Sequence, residues 1–169
     1  GTLLPALTRI AEEMWLTTRT GTAHHAWRLH TQFYLDRHVP VRMDLTTGKN
    51  SGESDERSVL RKHLTADHLY VMDRWYAQFQ LFDDIVAAGS SYACRVRDNS
   101  SFKVLEQREL SAAAQAAQIV FDAVVELGDE PRRRPKHPVR LVMVQVTPHE
   151  KRSNRKGNTG AGPSDGLLR

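Results

Sequence analysis

A chain of 169 residues with 40% hydrophobic content is long enough for one ordinary domain with a real apolar core, so disorder is not required by its composition. One cysteine, Cys94, excludes an internal disulfide and any thiolate metal cluster, and no apolar run is long enough for a membrane-spanning helix. The net charge of +4 is unevenly placed: residues 131–156 hold nine Lys or Arg and one acid, so this block carries +8 and the remainder −4.

In chain order, no basic segment followed by an apolar run opens the sequence, so no signal peptide is expected and the default compartment is cytoplasmic. Residues 25–35 alternate with a period of two, as do Val41, Met43 and Leu45, with Asp36 to Pro40 between them, which predicts an antiparallel hairpin. Residues 54–64 carry acids early and Arg61-Lys62-His63 late, an order that suits a helix dipole. His68 to Met72 reads as a short buried strand, 78–88 as a helix closed by Gly89, and 91–96 as a second strand. Strand, helix and strand in that order predict a parallel pair with Asp73 at the carboxyl end of the first, the edge where open α/β sheets hold ligands.

Beyond Asn99 the pattern turns to strands at 102–104, 119–127 and 139–146, with 111–118 too short to decide between helix and loop. The basic loop Pro131 to Pro138 joins the last two strands. Residues 151–165 are rich in Gly, Ser, Asn, Lys and Arg and read as a mobile segment.

The concentrated cations point to a phosphate backbone, because each one brought to a phosphate releases condensed counterions. A solvated basic loop is the plain alternative. Asp73 is the sharpest chemical candidate, since a carboxylate just after a buried strand is held at the sheet edge; taken alone, a strand-end aspartate reads more readily as a turn or cap residue that accepts backbone N–H bonds. His24, His25 and His30 are close in sequence, but strand spacing puts His24 and His30 too far apart for one zinc ion. Asp83-Asp84 reads as decoration of an exposed helix face, and Cys94 as a small buried side chain.

The segments Tyr70-Val71-Met72-Asp73-Arg74-Trp75-Tyr76, Ala26-Trp27-Arg28-Leu29-His30 and Tyr92-Ala93-Cys94-Arg95-Val96-Arg97-Asp98-Asn99 occur in an order that resembles the DDE transposases of bacterial insertion sequences, most closely the insertion-sequence-four family. Asp73-Arg74-Trp75-Tyr76 resembles the family's Asp-Arg-Gly-Tyr segment, with Trp75 standing where glycine is usual. Gly1-Thr2 looks like the pair that follows the family's first aspartate. The family's glutamate, in a late Tyr, Arg, Glu and Lys signature, has no counterpart here.

The resemblance implies an α/β, ribonuclease H-like mixed sheet lacking its first strand and last helix. It also implies a partial catalytic core over residues 1–99, a β-rich insertion over 100–148 and a flexible basic segment over 149–169. Asp73 would be a catalytic metal ligand for Mg2+, with Mn2+ able to substitute, two ions serving the intact enzyme. Arg132, Arg133, Arg134, Lys136, Lys151, Arg152, Arg155 and Lys156 would contact DNA at transposon ends and target. The intact protein would be a homodimer in the bacterial cytoplasm, associated with the nucleoid, and this internal fragment would be inactive alone. The competing readings are a non-catalytic nucleic-acid-binding module and a ribonuclease H-like nuclease not involved in transposition.

Overall fold

The period-two segment from 23 to 47 does form a hairpin in the computed structural model, which describes residues 2–5, 15–17, 23–48, 51–130, 134–146 and 166–169. The chain divides into two units, Gly1–Leu64 and Thr65–Arg169. In the first, β1 (Thr2–Pro5) and β2 (Trp15–Thr17) pair antiparallel with β3 (Ala23–Tyr34), which also pairs with β4 (Val39–Thr47). Leu29 sits between Thr2 on one edge and Leu45 on the other, so β3 is an interior strand. The outer edge of β3 is covered by β1, with Thr2 opposite Leu29 and Pro5 opposite Ala26.

The alternation along β4 is real, but the side that packs is the polar one. Arg28 reaches Glu56 at 3.2 Å and His63 lies 3.6 Å from Asp44, both ties from the hairpin to the segment that follows it. Met43 and Leu45 remain 64% and 56% exposed on the other face. That segment holds a 3-10 turn (Gly52–Ser54) and α1 (Glu56–Arg61), shorter than the helix expected over 54–64. Asp55 caps α1 by accepting the Arg57 N–H at 2.9 Å, and it also binds the Arg57 guanidinium, which holds its carboxyl below the usual range. Val59 and Leu60 are the buried side of the helix.

In the second unit, β5 (Leu69–Met72) and β6 (Ser91–Cys94) are parallel, with Met72 opposite Cys94, and α2 (Phe79–Ala87) connects them. The helix forms on its apolar spacing, burying Leu81, Phe82 and Ile85, and ends where Gly89 adopts φ +74, a left-handed conformation that glycine takes without a steric penalty. An antiparallel sheet follows in the order β10-β9-β8-β7, built from β7 (Phe102–Gln107), β8 (Ile119–Leu127), β9 (Val139–Gln145) and β10 (Leu167–Leu168). The ambiguous stretch before β8 is a short helix, α3 (Ala112–Ala116), capped by the Ser111 side chain.

One apolar core serves this unit. Phe82 and Val96 pack with Ala123, Val125, Leu127, Leu141 and Met143, while Met72, Tyr92 and Cys94 border them. The facing of Phe121 and Ala123 by Met143 and Leu141 follows the sequence pattern. β10 was not foreseen, because two leucines carry no periodic signal; it pairs with the end of β9. The expected mobile segment 151–165 lies outside the described residues. Among the described residues the strands form three separate hydrogen-bonded sheets, and no helix is long and apolar enough to cross a membrane.

Candidate active site

β5 ends at Met72, and the chain enters a 3-10 turn, Arg74–Tyr76, for which Asp73 is the N-cap. Its Oδ1 accepts the Trp75 N–H at 2.8 Å, so the capping role and the exposed strand-end position belong to the same residue. Oδ2 accepts no hydrogen bond among the described residues. Trp75 is absent from the positive-φ residues His38, Asp67 and Gln118, so the turn has no need of the glycine usual at this place.

The neighbouring strand brings two more groups to this end. Cys94 Sγ donates to the Asp73 carbonyl at 3.3 Å, and burial, then the Asp73 charge, push the thiol up to about 12. It is a protonated packing group rather than a nucleophile. The Arg95 N–H donates to the Met72 carbonyl at 3.3 Å, and its guanidinium lies 3.5 Å from Asp98. Among the described residues no three His, Cys, Asp or Glu side chains gather as a metal cluster. What the described residues fit is one ligand: a carboxylate with one oxygen fixed and the other without a partner among them suits a hard divalent ion that completes its shell from substrate and water.

The basic residues are less uniform than their sequence suggests. Arg134 pairs with Glu126 at 3.1 Å, and Arg140 makes a two-bonded contact with the buried Asp122 at 2.8 and 2.6 Å, which holds that carboxyl below its usual range. Lys136 is exposed and forms no ion pair among the described residues. Arg132, Arg133, Lys151, Arg152, Arg155 and Lys156 lie outside the described residues. The phosphate-facing role expected of them thus has described side chains only at Arg134 and Lys136.

A third cluster escaped the sequence reading. Asp83 Oδ1 accepts the Lys136 N–H at 2.8 Å and lies 3.3 Å from His137 Nδ1, while His137 Nε2 is 2.9 Å from Tyr92 Oη. The Tyr92 ring stacks on Phe82 at 4.3 Å between centroids, and burial pushes its phenol far above the ordinary value. Asp83 is therefore not surface decoration, and Asp84, also only half-exposed, accepts from Gln80 at 2.9 Å. The one available signal was that Asp83 lies four residues after Phe79, on the flank of the apolar stripe. His30, the remaining candidate ligand, is buried and bonded to Thr46 Oγ1 at 2.8 Å, and the side chains of His24 and His25 are outside the description.

No curated protein and no solved structure matches the chain. A family model described as the transposase DDE domain matches residues 1–158, a span that contains both units' strands up to β9 together with Asp73 and the whole basic loop. Members of that family are transposases, enzymes that act on DNA with divalent metal ions, and this chain belongs to the transposase DDE domain family.

Proposed function

We propose that the chain is the part of an insertion-sequence transposase, of the insertion-sequence-four type, that supplies the second of three metal-binding carboxylates. The observation that carries this reading is Asp73: an exposed carboxylate at the carboxyl end of a parallel strand, with Oδ1 held by the Trp75 amide and Oδ2 accepting no hydrogen bond among the described residues. The fold proposed for the intact enzyme is ribonuclease H-like, with residues 100–148 as its β-rich insertion. When bound, magnesium or manganese would supply activation of water or a 3′-hydroxyl and neutralisation of the departing oxyanion.

The chain's own contribution is positioning. The Trp75 amide fixes one Asp73 oxygen, which restrains the carboxylate rotamer and leaves its other oxygen for an ion. Lys136, exposed and without an ion pair among the described residues, would meet a phosphate of a transposon end or target DNA, as would Arg134 two residues before it. The intact enzyme acts as a homodimer on two ends. With one carboxylate of three, these 169 residues alone cut nothing.

The test is incubation with supercoiled plasmid in Mg2+ or Mn2+, beside sequencing of the DNA on both sides of the gene. No nicking, and terminal inverted repeats flanking the gene, are expected. Metal-dependent nicking that Asp73→Asn abolishes, in a gene without such repeats, would instead make the protein a nuclease outside transposition.

A further inference from the structure

Asp83 holds the basic connection between β8 and β9 against α2 and β6, and we propose that it is a positioning residue for DNA, acting through Lys136 and Arg134. The proposal rests on the reading of that connection as a phosphate-contacting loop. Asp83 stands on α2, remote in sequence from the loop, yet its Oδ1 accepts the Lys136 N–H at 2.8 Å and lies 3.3 Å from His137 Nδ1. His137 is clasped from its other side by Tyr92 Oη at 2.9 Å, and Tyr92 is itself fixed by stacking on Phe82. The Asp83 side chain is 11% exposed, so its charge has given up most of its water for these two partners.

The described end of the loop, residues 134–138, is restricted on its own account as well. Pro135 is buried and Pro138 follows His137, which restricts the backbone before and after Lys136. The result is that the origin of the Lys136 side chain is set before any ligand arrives, and its ordering is not a cost of binding. Arg134, at the start of the same segment, is steadied by Glu126 at 3.1 Å.

The sign of the effect separates this role from plain electrostatics. An acid beside a phosphate-binding loop repels DNA, so removing it should tighten binding if charge alone matters. Loss of an anchor should weaken binding instead.

The experiment measures the affinity of the 169-residue chain for a short fluorescent DNA duplex at low salt, as a thermodynamic cycle. Asp83→Ala is expected to weaken binding about fivefold, and to have no further effect in an Arg134→Ala/Lys136→Ala background. Tyr92→Phe keeps the ring on Phe82 and removes only the hydroxyl; it is expected to weaken binding about twofold, again only when the loop cations are present. If Asp83→Ala loses its folded circular dichroism spectrum, Tyr92→Phe carries the same cycle. Tighter or unchanged binding by these variants, or equal losses in both backgrounds, would overturn the proposal. A double loop variant that binds as tightly as the parent would remove the phosphate-loop reading itself, and the positioning role with it.

Discussion

The Asp73 carboxylate is tied to the backbone of Trp75, its Oδ1 accepting the Trp75 N–H at 2.8 Å across the first step of a 3-10 turn. A structural cap and a metal ligand therefore share one side chain, and two substitutions separate them. Asp73→Ala removes the acceptor and is expected to cost about 1 kcal/mol in urea unfolding. Asp73→Asn keeps an oxygen for the same N–H and should cost no more than a few tenths of that unit. Equal losses for the two variants would show that the carboxylate's charge, not the cap, holds the turn.

Cys94 reports on the same corner. With its thiol pushed up to about 12, first by burial and then by the Asp73 charge, almost none is thiolate near neutrality. Iodoacetamide at pH 8 is expected to modify the native protein about a hundredfold more slowly than the urea-unfolded chain. Comparable rates would contradict the burial of this strand end.

An ion pair spans β8 and β9 in the antiparallel sheet of the second unit. Asp122 is buried, Arg140 is exposed, and the carboxyl is held low by the guanidinium hydrogen bonds. A depressed carboxyl stabilises the fold fully above the unfolded value of about 3.9, and that contribution is lost as pH falls through the lower folded value. Arg140→Ala leaves Asp122 without these bonds and is expected to cost about 1–2 kcal/mol at pH 7, with a smaller penalty near pH 3. A penalty independent of pH would contradict the pairing.

His30 gives the opposite end of the pH scale. Burial holds its imidazole below the ordinary value, so the unfolded chain takes up this proton first as pH falls. Stability from the neutral ring is fully present above about pH 6.5 and declines as pH drops toward the folded value. His30→Gln should flatten the change in urea midpoint between pH 7 and pH 5. An unaltered pH profile in the variant would assign that change elsewhere.

The β3–β4 alternation and the α2 stripe were legible in the sequence from periodicity, and the parallel pair that ends at Asp73 from punctuation, although β5, expected to be buried, leaves Leu69 and Val71 exposed. What periodicity does not carry is sidedness and partnership. The hairpin packs its polar face because Arg28 and Asp44 find Glu56 and His63, which no alternation announces. Asp83 meets Lys136 and His137 only because α2 and the β8–β9 connection meet in space. Charge counting gave the basic block as a whole, yet Arg140 spends its charge on Asp122, and Arg134 is steadied by a partly exposed pair with Glu126. At Asp73 the sequence supported two roles, cap and ligand; the structure displays the first and leaves an oxygen for the second.

The role of Asp73 is tested most directly by titrating the isotopically labelled chain with Mn2+ and following paramagnetic broadening of its amide resonances. Broadening is expected to centre on Arg74, Trp75 and Arg95, whose amides flank or face the strand end, and to disappear in Asp73→Asn. Broadening centred on another acid, or unchanged when Asp73 is replaced, would contradict its assignment as a metal ligand.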